Sequence, residues 1–94
     1  MPINIYKQDA VNDEKIAWLC DSEWELPRQI YELEKWLSEN RGKFTKGSYI
    51  ADVGYTQRKG AFGGGAVITL AAMEMMLSLG MEIYLSEYPE SESD

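Results

Sequence analysis

The residues with the clearest chemical potential lie in one short stretch, residues 57–65. Arg58 and Lys59 supply positive charge near its start. The stretch ends in three glycines: Gly63, Gly64 and Gly65. Consecutive glycines allow backbone N–H groups to converge on an anion, and neighbouring cations favour its negative charge. The spacing matches neither the Walker phosphate loop nor the Rossmann glycine pattern. The stretch therefore predicts either an anion site or a flexible turn between two elements.

Asp52 is the second candidate, a carboxylate in the middle of a predicted strand. It shares one strand face with Ile50 and Gly54, because side chains alternate between the two faces of a strand. On an exposed face the carboxylate is solvated, whereas on a buried face it needs a partner such as Arg58 or a tyrosine hydroxyl. A buried Asp52 with a raised pKa could act as a general base. No second acid or base lies at a spacing that makes a catalytic pair, so the sequence assigns no catalytic residue.

The amino-acid composition counts against most enzyme chemistry. The 94 residues include no histidine and a single cysteine, Cys20. The absence of histidine excludes Ser–His and Cys–His nucleophile pairs, His-ligated zinc, and the side chain best suited to proton transfer near pH 7. A lone cysteine forms neither an internal disulfide nor a Cys-based metal site. The sequence therefore predicts no metal and no cofactor.

Charge and hydropathy exclude two classes of partner. The net charge is −7, from 9 basic and 16 acidic residues, and phosphate affinity is built on Lys and Arg, so no nucleic-acid partner is expected. Residues 87–94 contribute −4 of this charge and residues 1–86 only −3. No apolar run approaches the roughly 20 residues of a membrane span, and the N-terminus lacks the pattern of a secretory signal. We expect a cytoplasmic protein with a reduced Cys20 and no membrane partner.

Thr69 is the expected N-cap of a second helix that runs to Leu79, and this helix is apolar over more than half of its circumference. Helical spacing gives one stripe of Leu70, Met73 and Leu77, with Ala72, Met76 and Leu79 beside it. A helix this apolar in a small protein is either packed between other elements or used as an interface, and methionine adapts to irregular partners. Core packing and a homodimer interface both remain open. The interface prediction rests on Met73, Met75, Met76 and Leu77.

The first half of the chain predicts two strands and a helix. Residues 3–6 alternate as a short strand. The apolar run of residues 16–20 is too short to distinguish a strand from a helical turn, and we favour a strand. The helix from Pro27 to Asn40 is indicated by proline in the first turn and by apolar residues at helical spacing. Those apolar residues are Ile30, Leu33 and Leu37.

The second half predicts a strand, the apolar helix and a last strand. Residues 48–55 and 81–86 alternate as strands, and Gly80 follows the second helix at the usual position of a C-terminal cap. The order β-β-α-β-α-β predicts the α+β class, with two helices on one face of a small, mainly antiparallel sheet. We expect one domain over residues 1–88 and an acidic, disordered tail over residues 89–94.

The C-terminal half resembles a group of small bacterial proteins. The resemblance covers residues 26–89 and is carried by Ile50–Tyr55, Arg58–Lys59, Gly63–Ile68 and Gly80–Pro89. These stretches are similar to stand-alone proteins of mobile integron gene cassettes and to small immunity proteins that neutralise secreted toxins. The resemblance implies a compact, often dimeric α+β domain without a known activity, and it transfers no catalytic residue to this chain.

Two functions follow from these observations. The first is a non-enzymatic homodimeric module that binds another protein, of the mobile-element or immunity type. The alternative is a binder of a small molecule or an anion, with or without enzymatic activity. It would use the Arg58–Gly65 loop with Asp52 nearby.

Overall fold

The structure, a computed structural model, describes residues 2–56 and 65–89 of the chain. Its elements are β1 (Ile3–Lys7), β2 (Glu14–Leu19), α1 (Leu26–Glu39), β3 (Tyr49–Thr56), α2 (Leu70–Leu79) and β4 (Met81–Tyr88). This order confirms the predicted β-β-α-β-α-β arrangement. The predicted loop residues Arg58, Lys59, Gly63 and Gly64 lie outside the described residues, as does the predicted tail beyond Pro89.

The four strands form one sheet in the order β2-β1-β3-β4. β1 pairs antiparallel with both β2 and β3, whereas β4 pairs parallel with β3. The sheet is therefore mainly antiparallel, as predicted. β2 and β3 run parallel to each other because each is antiparallel to β1. Each helix consequently connects two parallel strands, which is the connection that parallel strands require.

Both helices pack on the same face of the sheet, as predicted. The sheet contributes Ile3, Ile5, Tyr49, Ala51, Val53 and Met81 to the core, and the helices contribute Leu33, Leu37 and Met76. Strand register explains this set, because Ile3 lies opposite Val53 and Ile5 opposite Ala51 on one face. The side chains between them point to the other face, which no described helix or strand covers. We call it the open face.

Gln29 is the polar side chain that the described core buries completely. Its Nε2 donates to the carbonyl oxygens of Glu23 and Gly54, both at 2.7 Å. These bonds join the N-terminal turn of α1 to β3. Hydropathy overlooked this residue because it is polar. Its position four residues before Leu33, on the buried stripe of α1, is the signal that could have found it.

Both ends of α2 follow the predicted local chemistry. The Thr69 hydroxyl accepts a hydrogen bond from the Ala72 amide, so Thr69 caps the helix. Gly80 ends α2 with a left-handed φ of 86°. Next to it, the Gly47 amide donates to the Leu79 carbonyl at 2.9 Å, and the Tyr49 amide donates to the Gly80 carbonyl at 3.1 Å. The end of α2 is thereby fixed to the start of β3.

Two strands, β2 and β4, differ from the predicted ranges by two residues at one end. β2 begins at Glu14, because Glu14 and Lys15 pair with β1, and it ends one residue before Cys20, which turns the chain with a φ of 57°. β4 continues to Tyr88, since its pairing with β3 extends to Thr56. Among the helices of the described residues, none is long and apolar enough to cross a membrane.

Candidate functional site

One row of side chains crosses the open face from edge to edge. Strand register places Trp18 beside Asn4, Asn4 beside Asp52, and Asp52 beside Tyr84. Neighbouring strands lie about 4.8 Å apart, so the row is about 14 Å long. Tyr6 follows Asn4 by two residues on β1 and lies on the same face in the next row. Polar and aromatic residues from all four strands therefore form one surface, which we call the Asp52 row.

Asp52 lies half-buried at the centre of this row. Its Oδ1 accepts a hydrogen bond of 2.7 Å from the Ser86 hydroxyl. The sequence predicted a tyrosine hydroxyl or Arg58 as the partner of a buried Asp52. The serine takes this position because the parallel register places Ser86 one row further along β4. Between the described residues the one ion pair joins Arg28 to Glu32, so no described cation pairs with Asp52.

Trp18, at the β2 end of the row, contacts a lysine side chain of the same strand. The Lys15 Nζ lies over the indole, 2.8 Å from the ring centroid. The indole Nε1 donates to the Asn4 Oδ1 at 2.9 Å, which orients the ring. An ammonium over an indole face is attracted by the negative face of the ring. The open face is thus able to hold positive charge.

The surroundings of Tyr6 on the open face raise the pKa of its phenol. Burial raises the pKa of its phenol above the usual 10.0, and the negative charge of Asp52 raises this pKa further. Asp13 and Tyr84 add smaller contributions to the pKa in the same direction. The phenol is consequently neutral at physiological pH. A neutral phenol hydroxyl is a hydrogen-bond donor.

Gly65 and Asp52, both predicted for one ligand site, lie on opposite sides of the sheet. Gly65 has a φ of 125° and lines a shallow groove against α1, together with Pro27, Ile30 and Tyr31. Asp52 lies on the open face, which α1 does not reach. The structure therefore does not bring these two residues together.

The four predicted interface residues of α2 differ in their exposure. Met76 belongs to the core at 7% exposed, and Met75 lies partly buried in the cleft between the helices. Met73 is 46% exposed and Leu77 is 75% exposed. Leu70, one turn before Met73, is 81% exposed. The exposed apolar residues are thus Leu70, Met73 and Leu77, which we call the α2 stripe.

The α2 stripe lies on the side of the helix that is away from α1. At 100° per residue its three members fall within about 60° of each other. The residues that line the cleft with α1 are Met75, Ser78 and Leu79, on the other side of the helix. α1 contacts β2 and β3, and α2 contacts the edge strand β4. The stripe therefore overhangs the outer edge of the sheet.

That outer edge is the side of β4 with which no other described strand pairs. In a parallel ladder alternate residues bond to the neighbouring strand, and the Tyr49 amide donates to the Gly80 carbonyl. The even-numbered residues of β4 therefore bond to β3, while the backbone groups of Met81, Ile83, Leu85 and Glu87 point outward. β4 spans 8 residues and contains no proline or lysine, so the side chains of Glu82 and Glu87 supply its charge as an edge strand. Leu85, on the helix-covered face, is 54% exposed.

Cys20 has the environment of an unreactive thiol. Burial raises its pKa, and the acidic side chains of Glu32 and Glu23 raise this pKa further against the opposing effect of Arg28. The thiolate is the nucleophilic form of cysteine, and a raised pKa reduces its population at neutral pH. Among the described residues no group of acidic or cysteine side chains is placed to hold a metal ion.

Comparison with known proteins adds no information about the function of these surfaces. No protein-family model matches the chain, and neither does any curated protein or any solved structure.

Proposed function

We propose that this protein is a non-enzymatic binding module that works as a homodimer, joined through the α2 stripe and the outer edge of β4. The observation that carries the proposal is the exposure of Leu70 and Leu77, at 81% and 75%, beside a strand edge that no other described strand covers. A contiguous apolar patch on the surface of a soluble protein is typical of an interaction site. A second copy covers both features at once, because each copy supplies a free edge and an apolar stripe.

The twofold pairing of two β4 strands has a preferred register. Paired residues of an antiparallel ladder share a sheet face, so β4 pairs with its own copy around one residue rather than between two. Centring on Tyr84 places Ile83 opposite the second copy's Leu85, and Glu82 opposite Ser86. Centring on Leu85 would place Glu87 opposite Ile83, in the interior of the ladder, whereas centring on Tyr84 places Glu87 opposite Met81, at the end of the ladder. We therefore propose an eight-stranded sheet centred on Tyr84, with the two α2 stripes side by side.

The wider role that we propose is recognition of another protein without catalysis. The absence of histidine and the half-buried, Ser86-bonded Asp52 supply no catalytic pair. The resemblance of residues 26–89 to integron-cassette and immunity proteins supports a bacterial, cytoplasmic module that recognises another protein. An anion or small-molecule site has less support, since Gly65 and Asp52 lie on opposite sides of the sheet.

Sedimentation equilibrium tests the homodimer directly. From low micromolar to several hundred micromolar protein, we expect the weight-average mass to rise from 10.7 kDa towards twice that value. Each copy carries −7, so added sodium chloride should screen the mutual repulsion and strengthen the dimer. A mass of 10.7 kDa at every concentration and salt level would contradict the proposal.

A further inference from the structure

The Asp52 row has unused capacity to accept hydrogen bonds. An ionised carboxylate offers about four acceptor positions on its two oxygens. The Ser86 hydroxyl takes one of them at Oδ1. Tyr84 flanks Asp52 on β4, and Tyr6 lies diagonally across from it on β1. A donor that approaches from solvent therefore meets a carboxylate between two phenol rings.

We propose that the Asp52 row binds an arginine side chain of a partner protein. The guanidinium would donate two parallel hydrogen bonds to the Asp52 carboxylate and stack against the Tyr84 ring. Tyr84 is 44% exposed and Trp18 is 48% exposed, so the row is open to an approaching segment. A length of about 14 Å accommodates four residues of extended chain at about 3.4 Å each.

Charge on the open face selects a cation. Lys15 covers the Trp18 ring and places a positive charge at the β2 end of the row, so the cation site lies towards the β4 end, beside Asp52. Glu82 lies in the row next to Asp52, across from Ile50. Phosphate groups would meet both carboxylates, so a nucleic acid is disfavoured and a basic protein segment is favoured.

Arginine suits the site better than lysine for geometric reasons. Its guanidinium is planar, donates two parallel bonds to a carboxylate, and stacks on aromatic rings. A lysine ammonium is a strongly hydrated point charge that gains less from a ring beside the carboxylate. The Asp52 row lies entirely within one chain. The proposal therefore rests on the binding role proposed above but not on the dimer.

Titration with a short peptide tests this site. The probe is Ac-Gly-Ser-Arg-Ser-Gly-NH₂, and the control peptide carries citrulline, which keeps the shape of arginine without its charge. We follow the amide signals of Asp52 and Ser86 and the indole signal of Trp18 by NMR. The arginine peptide should shift these signals saturably, and the citrulline peptide should leave them in place. Equal shifts with both peptides, or no shift with either, would overturn the proposal.

Variants assign the effect to the row. Asp52→Asn keeps the shape of the side chain and should weaken arginine-peptide binding at least tenfold. Tyr84→Leu should weaken it severalfold through loss of the stacking ring, and it serves if the first variant folds poorly. The matched control is Asp21→Asn, which removes an exposed carboxylate from the turn after β2 and should leave binding unchanged. Equal weakening by Asp21→Asn would overturn the site.

Free guanidinium distinguishes the source of the cation. The arginine peptide should bind more tightly than guanidinium chloride at equal ionic strength, because the peptide backbone also lies along the row. Equal affinity would overturn a protein partner in favour of a small organic cation. A chain that remains monomeric in the ultracentrifuge yet passes the peptide test would lose the dimer and keep this site.

Discussion

Gly80→Ala is expected to destabilise the fold by about 3 kcal/mol or more, the largest loss of stability that we predict for a single substitution. Gly80 has a φ of 86°, a left-handed conformation that costs a residue with a Cβ about 1–2 kcal/mol. A Cβ at this position would also overlap the carbonyl oxygen of Gly47. That oxygen belongs to the backbone, so rotation of a side chain cannot relieve the contact. Movement of Gly47 would break its bond to the Leu79 carbonyl.

Gly42→Ala is the matched control for this prediction. Gly42 also has a left-handed φ, 81°, but a Cβ there meets no atom within 4 Å. It should therefore lose about 1–2 kcal/mol, the conformational cost alone. Urea unfolding followed by circular dichroism measures both variants. Equal losses in the two would show that the contact between Gly80 and Gly47 does not limit the position.

The double variant Leu70→Glu, Leu77→Glu is expected to weaken the dimer at least a hundredfold. It places two carboxylates from each copy in an interface that the proposal makes apolar, and burying unpaired charge is costly. The stability of the single chain should change little, because both side chains are largely exposed and outside the core. Sedimentation equilibrium measures the dissociation constant of the dimer.

Ala71→Glu is the matched control for this experiment, because it adds a negative charge to α2 outside the α2 stripe. Ala71 is exposed on α2 but lies outside the α2 stripe. A glutamate there adds charge to the same helix without entering the interface, so we expect at most a few-fold weakening. Comparable disruption by Ala71→Glu would mean that net charge, rather than burial of the stripe, controls association.

Local chemistry made the two ends of α2 predictable. A threonine before an apolar run and a glycine after it placed α2, and both residues act as predicted. The boundaries of β2 were less accessible, because Glu14 and Lys15 are polar and join the strand only through pairing with β1. Periodicity within a segment carries no information about such pairing.

The candidate surfaces needed the tertiary structure. Asn4, Trp18, Asp52 and Tyr84 become neighbours only when strand order and register are known. The exposure of the α2 stripe could not be predicted from the sequence either. The α2 stripe and the neighbouring row of Ala72, Met76 and Leu79 are both apolar. Hydropathy therefore could not show that Met76 faces the core while Leu77 faces solvent. The position of α1 and of the sheet edge decides between them.

Disulfide trapping at position 84 tests the central claim, that two copies join at the β4 edge, most directly. Pairing centred on Tyr84 makes it a non-hydrogen-bonded pair with its own copy, with Cα atoms about 4.5 Å apart. This separation falls within the range that a disulfide spans. The test variant is Tyr84→Cys with Cys20→Ser. The control is Tyr31→Cys in the same background, at an exposed position on α1.

On mild oxidation at several hundred micromolar protein, where the dimer should be populated, we predict that Tyr84→Cys forms a covalent dimer much faster than Tyr31→Cys. A Tyr84→Cys variant that stays monomeric, or that cross-links no faster than Tyr31→Cys, would contradict the β4-edge dimer.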